Sequence, residues 1–235
     1  MPPLAKEKII IAVDVPDAAA AHRLIAPLAL EGCLFKIGLQ LFTREGPSIV
    51  REVLDLGARV FLDLKFHDIP KTAHEAVASA IALGVHMTTI HLAGGPGMVS
   101  EAMRAASDST TLVLGVTVLT SMDDEALRAV GIPSSTKAQV LNLAKMGHAC
   151  GLRGVVASPH ELPLLRAEFG KDLIIVTPGV RPIGSEANDQ SRIMTPGEAI
   201  QHGADYLVIG RPITHAKCPH EAFLRIAEEM QSAEA

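Results

Sequence analysis

The feature that most limits how this chain can fold is a set of eight short apolar segments, rich in β-branched residues and spread along its length. They read "IIIAVDV" (9–15), "LFKIGL" (34–39), "RVFLDLKF" (59–66), "MTTIHL" (87–92), "TLVLGVTVL" (111–119), "GVVASP" (154–159), "LIIVTPGV" (173–180) and "DYLVIGRPI" (205–213). Most are continuous rather than alternating, as strands covered on both faces should be. Between them lie stretches with helical spacing, such as "AAAAHRLIAPLAL", "PSIVREVLDLG" and "AHEAVASAIALG". Gly57, Gly84 and Gly203 stand where such helices should stop. Eight strand–helix units in 235 residues predict an α/β fold, a (β/α)8 TIM barrel. A doubly wound sheet is the alternative, but it commonly has fewer units and a glycine-rich first turn. No Pro/Ser linker or low-complexity tract interrupts the pattern, so residues 1–235 read as a single domain. The widest gap between strands, 120 to 153, predicts extra structure after strand 5.

The second segment type to explain is "RVFLDLKFHDIPKT" (59–72), where Asp63, Lys65 and Asp68 stand in or beside an apolar run. In a TIM barrel the C-terminal strand ends carry the active site. Polar residues here gather at those ends. Asp14 ends strand 1, Lys36 lies in strand 2 before Gly38, and Asp63 and Lys65 end strand 3. Thr117 and Thr120 end strand 5, Arg181 follows strand 7, and Gly210 and Arg211 end strand 8. The period of two predicts that Asp63 and Lys65 point the same way, towards the barrel mouth. The plainer reading is a structural ion-pair network capping the barrel, but buried ion pairs stabilise weakly.

Alternating ammonium and carboxylate groups suit a particular chemistry. Nearby carboxylates favour the charged amine, which disfavours a Schiff-base lysine and favours a general acid that protonates a developing carbanion. The long loop "VTPGVRPIGSEANDQSR" (176–192), with Arg181, Gln190 and Arg192, follows strand 7, and "VIGRPIT" follows strand 8. Loops after strands 7 and 8 are the usual phosphate site of the barrel, and a guanidinium offers a fork of donors to an anion. The loop's length suits a lid.

Other signals point away from competing classes. A net charge of −5 and 3% aromatic residues argue against nucleic-acid binding. No apolar run approaches the ~20 residues of a membrane span, and no secretory h-region is legible at the N-terminus. Cys33, Cys150 and Cys218 are odd in number and scattered, which fits reduced thiols in the cytoplasm. "AGGPG" (93–97) lacks both the Walker and the dinucleotide spacing and reads as a tight turn. The ten histidines raise the question of a metal. His86 and His91 are five apart on a strand and so oppositely directed, His67 alternates away from Lys65, and His215 and His220 flank Cys218 and Pro219 in poor register. The expectation is no metal and no cofactor.

Residues 63–72, "DLKFHDIPKT", resemble the D-x-K-x-x-D-I-P-x-T signature of the orotidine 5′-monophosphate decarboxylase family. "AVDV", "FKIGLQLF", "HLAGG", "VTVLTSMD", "PGVRPIGSEANDQSR" and "VIGRPIT" extend that resemblance over nearly the whole chain, in its bacterial form. A related sugar-phosphate branch, which includes 3-keto-gulonate-6-phosphate decarboxylase and hexulose-phosphate synthase, shares D-x-K-x-x-D. Those enzymes bind magnesium and typically carry an acidic residue on strand 2, where this chain has Lys36. The resemblance implies cofactor-independent conversion of orotidine 5′-monophosphate to uridine 5′-monophosphate (UMP) and CO2, in de novo pyrimidine synthesis. It implies that Lys36 and Asp63 belong to the charged array and that Lys65 donates a proton to C6. It implies that Asp14 contacts the ribose, that Thr120 and Ser121 lie near the pyrimidine, and that Arg181, Gln190, Gly210 and Arg211 hold or close over the 5′-phosphate. It also implies a homodimer in which Asp68 and Thr72 complete the neighbour's site. Lys71 and Leu92 stand where other members often carry different residues. A non-catalytic nucleotide-binding barrel is the remaining alternative.

Overall fold

The β-branched segments form a closed ring of eight parallel strands in chain order, the first pairing with the eighth to complete it. The structure is a computed structural model that describes residues 4–182 and 194–234. The order begins β1 (Ile9–Ala12), α1 (Ala18–Ile25), β2 (Leu34–Gly38), α2 (Leu39–Glu45), α3 (Pro47–Asp55), β3 (Arg59–Phe66), α4 (Pro70–Ala82), β4 (Met87–His91) and α5 (Gly95–Ala105). It continues with β5 (Leu112–Val116), α6 (Asp124–Ala129), α7 (Thr136–Ala149), β6 (Gly154–Val156), α8 (Leu162–Phe169), β7 (Ile174–Pro178), α9 (Pro196–Gln201), β8 (Tyr206–Ile209), α10 (Arg211–Thr214) and α11 (Pro219–Glu234). This is the (β/α)8 barrel expected from the sequence. The gap after strand 5 is filled by α6 as well as α7.

Two apolar layers hold the barrel. The strand residues that face inwards, including Ile10, Leu34, Phe61, Met87, Leu114 and Val176, pack as one buried cluster inside the ring. Their neighbours in sequence, such as Ile9, Ile11, Phe35, Val60 and Leu62, belong to the larger cluster between strands and helices. The alternation of the two sets follows the pleat, and burial on both sides explains why the strands read as unbroken apolar runs. Gly57, Gly84 and Gly203 do stand just past helix ends, at φ of 76°, 82° and 99°, where a side chain would be strained.

The face opposite the mouth is tied by a guanidinium. Arg166 on α8 donates to the carbonyls of Gly203 (2.7 Å), Gly170 (2.6 Å) and Leu173 (2.7 Å), and pairs with Asp205 just before β8. Asp205 also accepts the backbone N–H of Ile175 on β7.

Candidate active site

Four charged side chains meet at the C-terminal end of the ring, Lys36 on β2, Asp63 and Lys65 on β3, and Asp14 two residues past β1. β2 and β3 run in a register that sets Gly38 beside Asp63 and Lys36 beside Phe61. Lys36 thus starts one layer deeper and extends upwards past Gly38. A Cβ at Gly38 would lie 3.1 Å from the Lys36 ammonium and 3.5 Å from Asp14 Oδ1, so a side chain there would crowd the ammonium by a few tenths of an ångström. There Lys36 Nζ stands 3.2 Å from Asp14 Oδ1 and 3.7 Å from Asp63 Oδ2. Lys65 Nζ donates to both oxygens of Asp63 at 2.9 Å. Asp63 is thereby held between two ammonium groups, with its side chain 11% exposed, while Asp14 lies towards solvent at 61%. The order Asp14, Lys36, Asp63, Lys65 alternates in sign.

The approach of Lys65 to Asp63 is not the product of simple alternation. Lys65 has φ of 52°, the sole non-glycine residue with positive φ among the described residues. That conformation costs about 1–2 kcal/mol for an L-residue and persists where the surroundings fix it. The β3–β4 ladder shifts register at this point, from Leu62 opposite Thr88 to Phe66 opposite Ile90. Thr89, fully buried, sits against the irregularity. Its hydroxyl accepts the Lys65 backbone N–H at 2.8 Å and donates to Asp63 Oδ1 at 3.0 Å. The sequence reading did not single out Thr89. Its parity with His91 marks it as inward-facing, but the register across strands is invisible in the sequence.

The remaining candidates distribute around the mouth. Thr120 and Ser121 are exposed and line a cavity of about 740 Å3 beyond β5, β6 and β7, together with Ser158, His160, Pro178 and Gly179. None of the four clustered charges lines that cavity, so they stand to one side of it. Arg181 is buried just past β7, donating to the carbonyl of Val180 at 2.9 Å, while its own N–H bonds to Met194 O. Gly210 precedes α10 and Arg211 opens it. Gln190 and Arg192 lie outside the described residues. Asp68 and Thr72 are exposed within an exposed run, 67–72, and Asp68 accepts the N–H of Ile69 at 2.7 Å. Thr117 is buried and donates to Val156 O, tying β5 to β6.

The histidines divide. His91 ends β4 and its ring stacks on that of His67, centroids 5.2 Å apart. Burial, and then the neighbouring charges of His67 and Lys65, hold His91 below the usual histidine range. Its Nδ1 accepts the N–H of Ala93. His86 instead accepts the N–H of Val60. Among the described residues no group of three or more His, Cys, Asp or Glu side chains is arranged to hold a metal ion. All three cysteines are free, and burial pushes the Cys33 thiol up to about 12. No helix among the described residues is long and apolar enough to cross a membrane.

Comparison with known proteins now decides the family. The profile described as "Orotidine 5'-phosphate decarboxylase / HUMPS family" matches residues 7–226. The chain belongs to that family. The orotidine 5'-phosphate decarboxylase of Syntrophotalea carbinolica is 49% identical, over 97% of each chain. That of Moorella thermoacetica is 48% identical, over 97% of this chain and 93% of the relative. The crystal structure of orotidine 5'-phosphate decarboxylase from Lactobacillus acidophilus superposes with a TM-score of 0.84 at 34% identity, covering 94% of this chain and 98% of that one. In this family setting the charged cluster at β1, β2 and β3 is the natural candidate for the reacting centre, and the mouth beside it for the nucleotide.

Proposed function

We infer that this protein decarboxylates orotidine 5′-monophosphate to UMP and CO2, without a cofactor, in pyrimidine biosynthesis. The observation that carries the reading is the alternating array Asp14, Lys36, Asp63, Lys65, in which an ammonium group occupies the strand-2 position. The magnesium-dependent sugar-phosphate branch typically carries an acidic residue there, whereas the Lys36 ammonium repels a cation.

The chemistry balances with protein groups alone. The bond from C6 of the pyrimidine to its carboxylate carbon breaks, CO2 leaves, and the electron pair stays on C6. Lys65 then supplies the proton. A substrate carboxylate about 4 Å from Asp63 is repelled by roughly 4 kcal/mol at an effective dielectric near 20. Relief of that repulsion is worth about a thousandfold at most, and ground-state destabilisation is a contested term. The fixed Lys36 and Lys65 ammonium groups act where negative charge develops, and preorganised charge of this kind is the larger contribution in most enzymes.

In this reading Asp14 contacts the ribose, and Thr120 and Ser121 contact the pyrimidine. Gly210 and Arg211, with Arg181 and Gln190, hold the 5′-phosphate or close over it. The protein works as a cytoplasmic homodimer, and Asp68 and Thr72 complete the partner's site. The deciding experiment is an absorbance assay of orotidine 5′-monophosphate, with and without EDTA. Turnover unaffected by chelator is expected. Chelator-sensitive turnover would favour the sugar-phosphate branch, and UMP binding without turnover would leave a binding protein.

A further inference from the structure

We propose that Thr89 is a positioning residue whose single hydroxyl holds Lys65 and Asp63 in their reactive geometry, an inference that rests on the decarboxylase reading above. A hydroxyl has one proton to give and two lone pairs to receive with. Thr89 uses both functions within the charged array: it donates to Asp63 Oδ1 at 3.0 Å and accepts the Lys65 backbone N–H at 2.8 Å. One atom thus fixes the carboxylate and the backbone from which its ammonium partner extends.

The backbone explains why such a tether is needed. Between the register points Leu62–Thr88 and Phe66–Ile90, three residues of β3 stand against one of β4. The Lys65 N–H turns to a side chain for its acceptor, and Lys65 adopts φ of 52°. An L-residue leaves that region readily unless something holds it. If Lys65 reverted to an extended backbone, its ammonium would lose its fixed relation to Asp63, and small displacements of reacting groups are expensive in rate.

Burial of a threonine in this barrel does not by itself produce such bonds. Thr88, the preceding residue, is equally buried, yet its hydroxyl has no partner among the described residues, and Thr177 behaves the same way. The two bonds of Thr89 are specific to its place beside the irregular turn of β3.

Thr89→Val keeps the shape and removes the hydroxyl, whereas Thr89→Ser keeps the hydroxyl. Hydrogen bonds to charged groups predict that kcat falls about 10- to 100-fold in the valine variant. KM should stay within about threefold, because the substrate's remote contacts are untouched. The serine variant should recover kcat to within about threefold of wild type. A merely structural role would lower the melting temperature while leaving kcat in place. A valine variant with wild-type kcat, or a serine variant as slow as the valine one, overturns the proposal. If the valine variant does not fold, Thr89→Ala replaces it under the same criteria. Should the wild-type protein itself fail to turn over orotidine 5′-monophosphate, the functional reading fails separately. A crystal structure of the valine variant then decides on Thr89: Lys65 leaving positive φ supports the tether, and an unchanged Lys65 overturns it.

Discussion

Lys65 reaches both carboxylate oxygens of Asp63 at 2.9 Å from a backbone in the left-handed region. The contact at the centre of the proposed chemistry is therefore held against a local conformational cost. Substitution at position 65 separates the two effects. Lys65→Ala and Lys65→Gly should both lose turnover by several orders of magnitude while remaining folded. The glycine variant should be about 1 kcal/mol more stable than the alanine variant, because only glycine adopts positive φ without penalty. Denaturant titration and the steady-state assay check both halves. Retention of more than a tenth of wild-type activity in either variant would remove Lys65 from its assigned role.

The proposed phosphate grip predicts a substrate effect. Binding energy from a remote group can be expressed in the transition state, so orotidine lacking its phosphate should react far more slowly than the nucleotide. Arg211→Ala should narrow that gap by slowing the nucleotide and sparing the nucleoside. A gap of unchanged size in the variant means that Arg211 does not meet the phosphate.

The proposed sharing of Asp68 across a dimer, for which its exposure leaves room, predicts complementation between subunits. Lys65→Ala and Asp68→Ala proteins should each be badly impaired. In a mixed two-fold dimer one site carries both lesions and the other neither, so random equal mixing leaves about a quarter of all sites intact. Co-refolding should raise activity well above either parent. Mixed dimers that form without recovering activity would assign Asp68 to its own subunit.

His91 predicts a pH effect on stability. Its folded form favours the neutral ring, so the unfolded chain binds the extra proton first as pH falls. The contribution is complete above the unfolded value, near 6.5, and is lost as pH drops through that value towards the lower folded one. His91→Gln should flatten the stability profile below about pH 6.5. A slope identical to wild type would show that the half-buried ring does not titrate there.

At the opposite face, Arg166→Leu removes one guanidinium from three carbonyls and the Asp205 carboxylate. Losing such a network should cost about 2–4 kcal/mol, read by chemical denaturation, with kcat unchanged at a temperature where the variant is folded. A tenfold fall in kcat there would show that the two faces are coupled.

The sequence made all eight strands legible, because burial on both faces leaves an unmistakable apolar run. It overstated their length at the mouth. The segment read as 154–159 contributes a strand only over Gly154–Val156, and that read as 111–119 only over Leu112–Val116. Side chains stay buried after the backbone has left the ladder, so hydrophobicity outlasts hydrogen bonding. The charged array was legible from strand ends and chemistry. The period-of-two argument set Asp63 and Lys65 on one side, where they do meet, but the contact is made through a ladder irregularity and the positive φ of Lys65, neither of which was foreseeable. No local signal marks a lysine as left-handed; that conformation is imposed across strands, by partners such as Thr89.

The ring closure of β1 on β8 has one further consequence. Each strand has a neighbour on either side, so the sheet offers no free edge to which another chain could add a strand. In the proposed dimer, contact between copies then falls to side chains on helices and loops rather than to backbone ladders. The affinity of that proposed dimer is then open to adjustment one substitution at a time, apart from the hydrogen-bonded ring of strands that carries the charged array.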